Sequence, residues 1–384
     1  MRLTNPILYL VWAGCAKPSS CIGTKSSLCD ATERSDISEF LQVERNTIGS
    51  LPAPSNSHAS KSLPDLIADA VEDLTNFLNS HTSLSDMRLE ALQHVGSASA
   101  FRSQMVGLSF WTYGIHTFID GWAGWSLAKS FIDTRPKNGA PGYDVVAIFV
   151  KEDQCAMVFS GTSGLADITT DFTFNVFHPR DYLPCGLHGV HEGFFNDVQQ
   201  FMLNGSYARE FEPFPHRNCT GGVTLAGHSQ GAAMSEIFAS CVNAGDSVWI
   251  PELKRDGKVV NEGALLKTRF QVNNIFTTGS PGTARVGIKN PLETSGIFQG
   301  ERIFTQDWIY MDPVPASTSE LDFWHPKMPA MRLFKTNDTA VRAENIAASQ
   351  AWEPPLLIPT AHSLAVLDIK RHLQYVEWLL ALGE

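Results

Sequence analysis

The 384-residue sequence has no run of lysines or arginines, and its formal net charge is −11. Nucleic acids and strongly anionic surfaces recruit clustered cationic charge, so neither is expected as a partner. Long apolar runs are missing as well. The first one, Ile7 to Ala13 after Pro6, is too short to cross a bilayer, and no transmembrane segment is expected. No group of histidines and cysteines has the spacing of metal ligands, so neither a metal nor a cofactor is expected. No internal repeat is visible, which sets aside solenoids and propellers.

The chain does contain 43% hydrophobic residues against 18% charged ones, enough for one large core with an extension. The stretch "MRLTNPILYLVWAGCAKPSS" carries one arginine, a short apolar run and then small residues. That is the outline of a secretory signal over residues 1–16, with Gly14 and Ala16 before the cut. A cut there removes Cys15 and leaves Cys21, Cys29, Cys155, Cys185, Cys219 and Cys241, an even number that suits disulfides in a secreted protein. Cys241 lies in a helical pattern and reads by itself as a small buried apolar residue. Residues 17–62 are rich in Ser, Thr, Pro and charge and read as a linker or pro-segment.

From residue 63 to 384 the pattern is that of a folded domain. It opens with three short helical stretches, one of them Ala98 to Phe118. Buried-strand runs then alternate with helical ones. "YDVVAIFV", "CAMVFSG", "VTLAGH", "RFQVNNIFTTG", "ERIFTQDWIYM" and "MRLFK" read as strands; "VHEGFFNDVQQFML", "GAAMSEIFASCV" and the tail "SLAVLDIKRHLQYVEWLLAL" read as helices. This alternation implies an α/β fold, a mostly parallel central sheet flanked by helices.

Within it, "VTLAGHSQGAAMSE" sets Ser229 between Gly227 and Gly231, after a strand and before a helix. A strand that turns sharply into a helix forces its turn residue into strained backbone geometry, and glycine at −2 and +2 removes the β-carbons that would collide. Ser229 is therefore the candidate nucleophile, with the N-terminal dipole of the following helix aimed at it. A serine needs a base, and the base a carboxylate to orient it. In this arrangement the chain order is Ser, acid, His. Asp312, in "MDPVP", is the candidate acid, held in a loop by the prolines after it; Asp307 lies inside a strand-like run and is the weaker choice. Three histidines follow. His325 comes only 13 residues after Asp312, before the last short strand, and is too early. His362, where a loop meets the final helix, is preferred, with His372, inside that helix, as the alternative base.

Taken together, these motifs resemble the class 3 lipases, relatives of the secreted fungal triacylglycerol lipases, over about residues 100–382. "MVFSGTSGLADITTDF" is similar to the family's strand and oxyanion loop, "VHEGFF" to the segment after its lid, and "LAGHSQGAA" to its nucleophile turn. "IFTTGSPGTARVG", "DPVP" and "AHSLAVL" follow in the family's order. Ser160 stands where the family usually has arginine, a change expected to loosen the oxyanion loop. The resemblance implies an α/β-hydrolase fold and a serine ester hydrolase. Thr162 and Gln230 would supply the oxyanion hole, and a lipid or other ester would be the substrate, met at a lipid–water interface. Residues 163–178 fall at the place of the family's lid.

Overall fold

A computed structural model describes residues 101–112, 122–133, 144–161, 184–255, 258–284, 288–305, 325–335, 341–347, 378–379 and 382. The chain divides into two units, Met1–Thr75 and Asn76–Glu384. Every described residue belongs to the second. Among the sequence expectations, the signal segment, the linker, the tail helix up to Glu377, Thr162, residues 163–178, Asp307, Asp312, His362 and His372 lie outside the described residues.

Among the described residues, eight strands form one sheet: β1 (Ser126–Asp133), β2 (Asp144–Lys151), β3 (Gln154–Phe159), β4 (Val223–His228), β9 (Val272–Thr278), β10 (Gln299–Thr305), β11 (Ala330–Lys335) and β12 (Val341–Ile346), neighbours in that order. The centre, from β3 to β11, is parallel; the outer pairs β1–β2, β2–β3 and β11–β12 are antiparallel. Strand chemistry follows position. β4 is buried at every residue, as a central strand covered on both faces must be. β12, "VRAENI", has no buried residue, which suits an edge that must not recruit further strands.

Helices cover both faces. On one side α1 (Phe101–Trp111) lays Met105 and Leu108 on Val145, Phe149 and Val158, and Trp125 donates its indole N–H to Gln104 Oε1 at 2.9 Å. On the other lie α2 (Glu192–Leu203), the short α3 (Pro213–Asn218) and α4 (Gln230–Asn243). Their core is aromatic. Phe201 sits 5.1 to 5.9 Å from the rings of Phe131, Phe159, Tyr207, Phe211 and Phe238. Such rings bury large apolar area and fix one another's orientation edge to face.

Between α4 and β9 the chain makes a feature that the sequence pattern did not announce. Strands β5 (Ser247–Ile250), β6 (Leu253–Arg255), β7 (Lys258–Asn261) and β8 (Ala264–Lys267) pair as β5–β8 and β6–β7, an antiparallel ribbon. Its inner residues Val248, Ile250 and Leu266 join the core, while Trp249 and Leu265, opposite each other, stay exposed.

Two disulfides brace the unit. Cys155 at the start of β3 bonds Cys219 at the end of α3, and Cys185 bonds Cys241 in the last turn of α4. Cys241 is buried, as its helical setting suggested, but it is not a lone apolar thiol. The helix brings it to Cys185, 56 residues earlier, a proximity that no local pattern encodes.

Candidate active site

The turn between β4 and α4 has the geometry that its glycines require. Ser229 sits at φ 58°, ψ −131°, a conformation that non-glycine residues rarely occupy. A β-carbon on Gly227 would lie 2.4 Å from the Gly231 carbonyl oxygen, and one on Gly231 would lie 2.2 Å from that of Phe159. Neither position admits a side chain. The Ser229 N–H donates to the Thr278 carbonyl at 3.0 Å, and its own carbonyl receives the Ala232 and Ala233 N–H groups. The Ser229 hydroxyl does not cap the helix it precedes, and the residue keeps 7% of its surface accessible. The helix thus points its N-terminal amides and the positive end of its dipole at a hydroxyl that it does not consume.

An eight-strand sheet with a parallel centre, helices on both faces and a serine on a strained strand-to-helix turn is the α/β-hydrolase fold. Residues 156–259, from β3 to the ribbon, match the family model for class 3 lipases. Over these residues the chain is similar to the class 3 lipase family. No curated protein sequence matches it. Among solved structures, the chain is similar to the native propeptide complex of Rhizomucor miehei lipase: 14% identity, TM-score 0.47, covering 85% of this chain and 90% of that one. It is also similar to the lipase of Rhizopus microsporus var. chinensis (17%, 0.46, 74% and 90%) and to the Lip2 lipase of Yarrowia lipolytica (15%, 0.43, 72% and 92%).

The surroundings of Ser229 are held from several sides. The Gln230 side chain donates to Asp197 on α2, which turns it away from the turn and leaves the residue's backbone at the helix start. α2 is itself fixed where it begins. His191 caps it by accepting the Phe194 N–H at 3.5 Å, stacks on the Phe194 ring, and donates its own backbone N–H to Thr283 O at 3.0 Å. His228, just before the nucleophile, is fully buried with its ring 4.4 Å from that of Phe110, a packing role.

Ser160 lies at the end of β3, two residues before Thr162. Its hydroxyl accepts the Val145 N–H at 2.8 Å while its N–H donates to Val145 O at 2.8 Å. Both polar groups of Val145 are paired with this one buried serine; the oxyanion loop that Ser160 was expected to loosen lies outside the described residues.

Of the candidate residues, Ser229 and Gln230 are described and adjoin. His325, set aside as a base, is fully buried, and neither ring nitrogen has a hydrogen-bond partner among the described residues. Burial, then the nearby Arg302 cation, holds its pKa well below the usual histidine value.

Sequence reasoning passed over Glu236. It lies seven residues into α4 from Ser229, two turns on and on the same sheet-facing side, and is fully buried. Ser280 Oγ lies 2.9 Å from its Oε1, and the hydroxyls of Thr277 and Thr283 and the Arg302 guanidinium act on the same carboxyl. Desolvation outweighs these polar neighbours, and the pKa is pushed up to about 8. The signal was available: a single acid inside "GAAMSEIFASCV", where every other residue is apolar or small.

Among the described residues no cluster of His, Cys, Asp and Glu could hold a metal, and no helix is long and apolar enough to cross a membrane.

Proposed function

We propose that this protein is a lipase of the class 3 type that hydrolyses carboxylic esters of lipids through a Ser229–Asp312–His362 triad, with His372 as the alternative base. Ser229 Oγ attacks the acyl carbonyl while the imidazole takes its proton. The carbonyl oxygen gains negative charge, which the backbone N–H groups of Thr162 and Gln230 receive. Collapse of this intermediate breaks the ester C–O bond, and the imidazole returns the proton to the departing alcohol. Water then releases the acyl group by the same steps in reverse order of roles. Each oxyanion donor contributes about 3 kcal/mol to the barrier reduction, and Asp312 keeps the imidazole in the acting tautomer.

The strained Ser229 carries this reading. A backbone held at φ 58° costs free energy that a loop serine would shed, and two glycines without room for a methyl group exist to permit it. The substrate is read as a long-chain acyl ester presented at a lipid–water interface. The two disulfides support a protein made for the secretory route.

The test uses a fluorophosphonate probe and one soluble ester. Wild type is expected to be labelled at Ser229, and S229A, D312A and H362A to lose at least about 10³-fold in kcat. H372A keeping full activity assigns the base to His362; the converse result assigns it to His372. Ester hydrolysis that survives S229A ends the proposal.

A further inference from the structure

Gly279–Ser280–Pro281 follows β9 and lies directly behind the nucleophile. Thr278 just before it accepts the Ser229 N–H, Gly279 donates to Ile303 O at 3.2 Å, and Thr283 just after it accepts the His191 N–H that fixes the start of α2. One short segment therefore holds the turn on one side and the α2 cap on the other. Within it the Ser280 hydroxyl lies 2.9 Å from Glu236 Oε1 and 3.1 Å from Pro281 O.

A serine hydroxyl has one proton to give. If Glu236 is ionised, that proton goes to the carboxylate and the Pro281 carbonyl loses its donor. If Glu236 is protonated, its own O–H donates to Ser280 Oγ, and the serine proton is released to Pro281 O. Only the protonated acid satisfies both contacts. We propose that Glu236 is a positioning residue for Ser229: its carboxylic acid donates to Ser280, Ser280 donates to Pro281, and this relay sets the segment whose Thr278 carbonyl aligns the nucleophile.

The groups that face Glu236 favour its ionised form, and burial outweighs them. From β9 and the segment after it come Thr277, Ser280 and Thr283, all uncharged; from β10 comes the Arg302 cation, with neutral His325 beside it. Burial keeps the carboxyl protonated through neutral pH, up to about 8. Loss of the relay above that point misaligns Ser229 without touching the substrate, so it appears in kcat and not in KM.

This inference rests on the ester-hydrolase reading for its kinetic arm and has a second arm free of it. In the kinetic arm, wild-type kcat on a soluble ester is expected to fall by up to tenfold per pH unit above a break near pH 8, with KM unchanged. E236Q, whose amide N–H₂ can donate to Ser280 as the acid does, should keep near-wild-type kcat at pH 7 and lose the alkaline fall. S280A should show the low kcat of the alkaline form at every pH. An identical alkaline fall in E236Q, or none in wild type, overturns the inference. In the second arm, infrared difference spectra should show a protonated-carboxyl C=O band that is absent from E236Q, shifted in S280A and titrated near pH 8. Absence of that band overturns the relay whatever the enzyme does. An intact band in a protein without Ser229-dependent hydrolysis would instead overturn the ester-hydrolase reading.

Discussion

If Ser229 is held in a strained conformation for the sake of its hydroxyl, removing the β-carbon should stabilise the protein while abolishing its chemistry. The perturbation is Ser229→Gly, compared with Ser229→Ala. Both lose the hydroxyl; only glycine is at ease at φ 58°, ψ −131°. Strain at such a position costs roughly 1–3 kcal/mol. Against its relief stands the extra freedom of glycine in the unfolded chain, about 0.4–1 kcal/mol. On the mid-range values the difference leaves S229G more stable than S229A by about 1.3 kcal/mol. Urea unfolding at constant m-value reads this as a higher midpoint. For a unit of this size it corresponds to about 2–6 °C in Tm, if unfolding is reversible. Neither variant should be labelled by a fluorophosphonate. If S229A proves as stable as S229G, the turn holds no strain and the argument from geometry to nucleophile fails.

Ser160→Ala should cost about 1–3 kcal/mol by urea unfolding, because it strands the buried Val145 N–H, and should lower kcat by disturbing the strand end that leads to Thr162. Removing the Cys185–Cys241 bridge as a double alanine variant should cost about 4 kcal/mol by the chain-entropy estimate for a 56-residue separation, seen as a lower urea midpoint; an unchanged midpoint would refute it. Two buried groups set opposite pH limits on stability. Glu236 titrates near 8 in the native state and near 4.5 unfolded, so its contribution is full below pH 4.5 and is lost as pH rises to 8. His325 is held neutral below its usual 6.5, so its contribution is full above pH 6.5 and is lost on acidification. Urea midpoints from pH 4 to 9 should show E236Q gaining on wild type toward alkali and H325N gaining toward acid.

The local patterns were legible because they are written at short range. The apolar run of β4, the small residues of α4 and the paired glycines around Ser229 each reflect contacts within a few residues. The ribbon from Ser247 to Lys267 escaped notice because its outer face carries Trp249 and Leu265 in the open, at 55% and 67% exposure, which blurs the in–out alternation of a surface hairpin. Edge strand β12 escaped because four of its six residues are exposed and none is fully buried.

By itself, then, the sequence determined the alternation of strands and helices, the bend at Ser229 and the family that the motifs resemble, since each depends on backbone preferences and neighbouring side chains. The tertiary structure alone decided that Cys241 meets Cys185, that Ser160 secures Val145, and that Glu236 is a neutral acid behind the nucleophile. Those outcomes depend on which distant groups share a site from which water is excluded, and exclusion of water is a property of the packed chain rather than of any stretch of it.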